Sequence, residues 1–332
     1  MFLPHAYPMA LAMMIVSMIC WGSWANTQKL VRQLTDWRFE LFYWDYVWGI
    51  FFIAVLLALT LGRTDAASPD SFFANLQWAD ERNLAYAVTG GVIFNVGNIL
   101  LVAAIEAAGL AVAFPIGIGL ALVIGAALNY LVTPRGNPLL LFGGISLVCL
   151  AIVFDALAYR KISKDTKVTA RGIVLSVLSG IGIGVFYPLI AKAISTGRHL
   201  GPYTVFFMFA VGILLCTIPV NYALMRRPLS GMPVGLADYA AGSSKVHLFG
   251  ILGGVIWGVG TNFNFITSYT PIVGPAASYA LGQGATMVSA IWGVFVWKEF
   301  RGAGPGARRD LALMFIFFVV GLALIAFAPV VE

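Results

Sequence analysis

Charge is what this 332-residue chain has least of: 20 Lys and Arg with 14 Asp and Glu make up 10% of its residues, against roughly 25% in soluble domains. An ordinary cytosolic globular domain is thereby excluded. Only three cysteines occur, Cys20, Cys149 and Cys216, each inside an apolar stretch and none in a CxxC pair. They read as small core residues, which removes a disulfide framework and a thiolate metal site. The three histidines, His5, His199 and His247, stand apart, and there is no HExxH, GxSxG or phosphate-binding glycine loop. Without clustered catalytic groups the chain is not expected to be an enzyme or to need a cofactor or metal. The net charge of +6 is scattered between apolar segments, not gathered on one face as a nucleic-acid partner would require.

What is present in quantity is apolar sequence, 60% of the chain. With about 20 residues per crossing, the runs predict an all-α membrane protein of ten spans. The first five are Pro8–Gln28, Phe39–Leu61, Leu84–Ala104, Gly109–Val132 and Pro138–Leu157; the second five are Gly172–Ala191, Gly201–Ala223, Val246–Thr267, Gly274–Trp297 and Leu311–Val331. Spans 3 and 4 are joined only by Glu106 and small residues, so a nine-span merger is the alternative count. No basic residue precedes Lys29, so the first apolar run is expected to stay attached as a span and not to act as a cleaved signal.

Basic residues retained on the cytoplasmic side set orientation. The odd-numbered connections carry Lys29, Arg32, Arg38, Arg160, Lys161, Lys164, Lys167, Arg171, Arg226, Arg227, Lys245, Lys298, Arg301, Arg308 and Arg309, while the even-numbered ones carry only Arg63, Arg82, Arg135, Lys192 and Arg198. Both termini are therefore expected outside a cell membrane, inner or plasma.

An internal repeat organises the chain. Gly90, Gly91, Val92, Ile93, Phe94, Val96 and Gly97 recur as Gly253, Gly254, Val255, Ile256, Trp257, Val259 and Gly260, an offset of 163 that also relates Lys29 to Lys192, Gly49 and Ile50 to Gly212 and Ile213, and Gly119 to Gly282. Several matches at one offset indicate duplication. An odd number of spans per copy forces the second copy to enter from the opposite side. The expected architecture is thus two inverted five-helix repeats, residues 1–160 and 172–332, joined by a basic cytoplasmic linker at 161–171. Inverted repeats supply the two related packings of alternating access, which favours a carrier over a channel or receptor.

Polar groups at membrane depth mark where a solute would sit, since they cost free energy unless another helix, water or a ligand satisfies them. Span 1 ends in Trp21, Gly22, Ser23, Trp24, Ala25, Asn26, Thr27, Gln28 and Lys29, with Trp24 placed to stack on a ligand and Asn26 to hydrogen-bond it. Lys29 is expected to snorkel to water. Span 2 holds Trp44 and Asp45; at 1.5 Å per residue Asp45 lies about 9 Å inside a boundary at Phe39. An ionisable group so deep is a functional candidate, here the proton-coupling site, the alternative being a structural partner such as Lys29 or Arg38. Span 3 carries Asn95 and Asn98, and its repeat mate, span 8, carries Trp257, Thr261, Asn262 and Asn264. Of these, Asn98, Trp257, Thr261 and Asn262, with Trp44 of span 2 and Gln283 of span 9, complete the candidate substrate site. Tyr187 is a weaker candidate; Gly117, Gly119, Gly282 and Gly284 mark close packing. Asp155 lies near the cytoplasmic end of span 5 without an obvious partner and is taken as interfacial.

The two five-span halves resemble the drug/metabolite transporter superfamily. Tyr43, Trp44, Asp45, Tyr46, then Ala58, Leu59, Thr60, Leu61, Gly62, with Val123, Ile124, Gly125, Leu128, Asn129 and Tyr130, are similar to plant ureide permeases and their bacterial relatives. Gly97 and Asn98 through Gly117 and Gly119, and Lys298 with Glu299, resemble rhamnose/proton symporters and glucose or ribose uptake permeases. The resemblance implies a secondary carrier, with protons, of a small polar neutral metabolite such as a monosaccharide or a ureide or nucleobase-like compound, working in the bilayer as a monomer or homodimer. It also marks Asp45 and Asn129 as motif positions. The linker departs from the plant pattern, which has a long central loop with a nucleotide-binding-like motif. Multidrug or metabolite efflux is the alternative within the superfamily, and a membrane sensor without transport is the alternative outside it.

Overall fold

A computed structural model describes residues 1–64, 68–162, 169–228 and 231–331, with the side chains of Glu106, Leu110 and Ala111 outside that description. Among the described residues the regular structure is helical, and ten helices are long and apolar enough to cross a bilayer. Span 1 comprises α1 (Tyr7–Ser23) and α2 (Ala25–Leu34), and span 2 is α3 (Phe39–Leu59) with a short turn to Arg63. After the small helix α4 (Phe72–Trp78) come α5 (Glu81–Ala108), α6 (Leu110–Val132), α7 (Pro138–Ile162), α8 (Ala170–Ala193) and α9 (Pro202–Arg226), which are spans 3 to 7. The short α10 (Leu236–Ala240) precedes span 8, α11 (Ser244–Tyr269). Span 9 is α12 (Pro275–Gly282), α13 (Ala285–Ile291) and a wide turn at Trp292–Val296; span 10 is α14 (Pro305–Phe327).

Spans 3 and 4 do not merge. Gly109 ends α5 at φ 76°, and Gly274 opens span 9 at φ 82°, a conformation that glycine reaches without the steric penalty of a side chain. Prolines stand in the first turn of α1, α9, α12 and α14, where their missing N–H costs nothing. Span 1 runs six residues beyond the expected Gln28, to Leu34, and span 10 begins at Pro305 before the expected Leu311. Lys164 and Lys167 of the expected linker lie outside the described residues, whereas Arg160 and Lys161 form the last turn of α7.

Large apolar side chains point outward, among them Phe52 (71% exposed), Leu139 (83%) and Val319 (60%). Such a belt would be a liability in water and is what a bilayer requires. Inside, spans meet at glycines. A Cβ on Gly49 would collide with the Ile251 carbonyl and one on Gly254 with the Tyr46 carbonyl; one on Gly212 would collide with the Val88 carbonyl and one on Gly91 with the Phe209 carbonyl. The four partners of the first crossing map onto those of the second at the offset of 163. Span 2 therefore crosses span 8 as span 7 crosses span 3, backbone against backbone, the packing that small residues permit in lipid.

Candidate functional site

Two connected cavities open along the helices that carry the polar residues. The inner one, about 190 Å³, is lined by Trp21, Trp24, Asn98, Trp257 and Gln283 together with apolar and small residues of spans 3, 4, 6 and 9. Trp24, Asn98, Thr286 and Ser289 also line the outer one, a vestibule of about 580 Å³ that continues past Asn26, Gln28 and Lys29 to Arg32, Asp155, Tyr159 and Glu299.

Aromatic rings build the inner wall. Trp257 stacks on Phe94 with ring centres 4.8 Å apart and lies near-parallel to Trp21 at 6.3 Å. Trp21 is held by its own hydrogen bond, Nε1 donating to Thr261 Oγ1 at 2.9 Å, while that hydroxyl donates to the Trp257 carbonyl at 2.9 Å. Thr261 thus positions two tryptophans and is itself buried. Trp24 rests on Tyr46 at 4.5 Å. The polar side is an amide relay: Asn98 Nδ2 donates to Tyr43 Oη at 3.2 Å, Tyr43 donates to Asn95 Oδ1 at 2.7 Å, and Thr217 Oγ1 reaches the same oxygen at 3.3 Å. Gln283 lies in the break between α12 and α13, and its side chain makes no hydrogen bond among the described residues. Broken helices at a central site are a recurrent device of carriers. Among the described residues no charged side chain lines the inner cavity.

Of the residues singled out in the sequence, Trp24, Asn98, Trp257 and Gln283 meet in this inner cavity, and Asn26 lines the vestibule. Asn26 is already engaged, donating to the Ser23 carbonyl at 2.8 Å and accepting from Trp297 Nε1 at 2.6 Å. Such side-chain to backbone bonds, with Thr27 to the Trp24 carbonyl at 2.8 Å, compete with the helix and accompany its interruption at Trp24. Trp44 points elsewhere, its Nε1 directed at Met225 Sδ at 3.1 Å. Asn262 is fully buried with neither amide atom hydrogen-bonded, outside both cavities. Tyr187 is buried and bonded to Asn264 and Ser268.

Asp45 also lies outside the cavities. Its carboxylate accepts from Tyr239 at 2.6 Å and faces His247 Nδ1 at 2.9 Å, with Trp37 edge-on to that imidazole at 4.8 Å. Depth along a helix was legible in the sequence, but the face it presents was not. Neither Lys29 nor Arg38 is its partner. Arg38 pairs with Glu40. Lys29 pairs with Glu299, which also accepts from Tyr159 at 2.7 Å, and Lys29 lies 4.4 Å above the Trp297 ring. Burial and hydrogen bonding to Asp45 push the Tyr239 phenol above its ordinary range.

Sequence reasoning took Asp155 as interfacial and gave it no role in the site. It is 6% exposed, lines the vestibule, and its Oδ1 has no hydrogen-bond partner. The available signal was its i, i+4 spacing from Tyr159, which puts both on one helix face.

Polar contacts cross between segments at the opposite end of the bundle. Arg198 pairs with Asp80 at 2.8 Å, Asn83 donates to the Thr196 carbonyl at 2.7 Å, and Tyr269 donates to Asp70 at 2.7 Å. Hydrogen bonds from Arg198 hold the exposed Asp80 carboxyl below the usual carboxylate range.

Ten apolar spans around a ring-walled cavity that carries a few amide and hydroxyl groups mark a multi-pass membrane protein of the permease class. The ureide permease family model matches residues 42–172 and 159–328, and the chain belongs to that family. Similar proteins include "Ureide permease 1" of Arabidopsis thaliana, 23% identical with 95% of this chain and 96% of the relative covered, and "Ureide permease 2" of the same plant, 22% identical with 98% of each covered. "Probable ureide permease A3" of Vigna unguiculata is 23% identical over 88% of this chain and 96% of its own. A crystal structure of a protein 15% identical superposes with a TM-score of 0.62 over 96% of each chain; that likeness concerns the fold alone. The relatives are permeases, and the chain is a transporter, not an enzyme.

Proposed function

We propose that the protein is a proton-coupled uptake carrier of a small neutral ureide or a related planar heterocycle, bound between Trp24 and Trp257 and hydrogen-bonded by Asn98 and Gln283. One observation carries this reading: an uncharged inner cavity with aromatic walls and an unengaged amide. A ureide is a set of N–H donors and carbonyl acceptors on a flat frame, which amides match and indoles stack upon. The substrate names of the plant relatives support the same class.

The volume of about 190 Å³ falls below the roughly 300–1,000 Å³ of sites for drug-sized ligands. The inner cavity has no charged side chain among its described lining residues, which also speaks against a lipophilic cation bound there. Both features favour a metabolite over multidrug efflux.

Alternating access is proposed from the repeated crossings at Gly49 with Gly254 and Gly212 with Gly91, and from the positive-φ glycines that open spans 4 and 9. These support two inverted five-span units, residues 1–160 and 172–332. If the basic connections face the cytoplasm, the vestibule beside Lys29 opens inward, the Asp80–Arg198 end is the closed outer gate, and both termini are extracytoplasmic. Counterflow in proteoliposomes tests the solute: labelled allantoin exchanges, whereas exchange of glucose or a cationic dye in its place refutes the ureide assignment.

A further inference from the structure

The vestibule holds one ionisable group that nothing described so far employs. Glu299 is satisfied twice, by Lys29 and by Tyr159. Asp155, one helical turn from Tyr159, is not. It is 6% exposed, its Oδ1 is unpartnered, and it lines the cavity wall. A carboxylate so far out of water is expensive unless a positive species accompanies it.

The surrounding charges do not supply one. On its own helix Arg160 and Lys161 follow beyond Tyr159, and Lys161 is committed to Asp310 of α14. From α14, which packs along α7, Arg309 turns toward the same Asp310 at 3.7 Å, and Arg308 is exposed. From α6, the other helix against α7, the titratable side chain among the described residues is Tyr130, at the opposite end of the span. Across the cavity stand Lys29, bound to Glu299, and Arg32; Lys298 follows span 9. Glu106 of α5 lies outside the described side chains. No group of three His, Cys, Asp or Glu residues arranged for a metal occurs among the described residues.

We infer that Asp155 is the proton-binding group that couples transport, receiving a proton before the solute crosses and giving it to vestibule water on the Lys29 side. The step is a simple ionisation: the carboxyl O–H bond breaks, the electron pair stays on the oxygen, and water takes the proton. Glu299, already engaged by Lys29 and Tyr159, is not free to take that role. Asp155 adjoins the solute cavity through residues common to both cavities, Trp24 and Asn98, so solute and proton share one water-accessible route.

This assignment rests on the transport reading above, and its test separates the two. Full-length protein is reconstituted with labelled allantoin and an internal pH dye. With one proton per solute, the wild type concentrates allantoin about tenfold per imposed pH unit and alkalinises the side the proton leaves. Asp155→Asn is expected to lose accumulation entirely while retaining counterflow that no longer varies with pH. Wild-type accumulation driven by a sodium gradient alone, accumulation retained by Asp155→Asn, or a wild type that exchanges allantoin without accumulating it, each overturns the proton assignment and leaves the carrier reading standing. A wild type that exchanges no allantoin refutes the ureide reading instead. Should Asp155→Asn not fold, Asp155→Glu decides: it retains accumulation with a displaced pH profile, and an unchanged profile overturns the assignment.

Discussion

Gln283→Met offers the cleanest probe of the solute site. The glutamine is 9% exposed, stands in the break of span 9, and its side-chain amide makes no hydrogen bond among the described residues. Removing that amide breaks nothing inside the protein, and Met matches its length. Asn98 is less suitable because its loss would also strip a donor from Tyr43. If the solute's polar group docks on Gln283, the variant leaves that group buried and unpaired, at a cost of about 1–3 kcal/mol. With about 1.4 kcal/mol per decade, the solute's Kd should rise roughly 5- to 150-fold. Stability should shift by no more than about 0.5 kcal/mol. Calorimetric titration of allantoin, paired with a thermal melt of the same preparation, reads both quantities. An unchanged Kd with an unchanged melt would refute the placement of the solute against span 9.

Other consequences follow from the same geometry. Gly254→Ala and its repeat mate Gly91→Ala each drive a Cβ into a carbonyl, of Tyr46 and Phe209 respectively; both should lose about 1–3 kcal/mol in detergent melts. Gly119→Ala, with nothing within 4 Å of the added carbon, should not. Asp45→Asn removes the negative charge facing Tyr239 and His247 and turns one acceptor oxygen into a donor; it should lower the melting temperature while the folded fraction still accumulates solute under a pH gradient, and lost coupling in a fully folded variant would return Asp45 to the mechanism. Because Arg198 depresses the Asp80 carboxyl, the contribution of their pair to the closed end is complete above the unfolded carboxyl's pKa near about 3.9. It is lost only as pH falls through the lower folded value. Labelling of a cysteine beneath the Asp80–Arg198 pair should therefore be equal at neutral and mildly acidic pH, and should increase in Arg198→Gln.

The sequence showed most of the scaffold because bilayer spans announce themselves by length and apolarity, and the offset of 163 survived at the paired crossings of Gly49, Gly91, Gly212 and Gly254. Gly109 needed its backbone angle to show that spans 3 and 4 are separate. Polarity at depth singled out Trp24, Asn98, Trp257 and Gln283, which line one cavity, since rings and amides in lipid-spanning helices need a reason to be there. It could not say which way Trp44 and Asp45 turn, because a helix uniformly apolar around its circumference gives no phase. Asp155 was read as interfacial for the complementary reason. The residues that share the vestibule with it come from spans 1 and 9 and from the segment after span 9, and no spacing along one chain segment brings Lys29, Asp155 and Glu299 together.

Alternating access is tested most directly at Ala285, which lines the inner cavity at the start of α13. In a background with Cys20, Cys149 and Cys216 replaced, Ala285→Cys is exposed to a membrane-impermeant maleimide from one side of oriented vesicles at a time. The account predicts labelling from either side in separate experiments, with allantoin slowing both. Labelling from one side only, unaffected by allantoin, would contradict it.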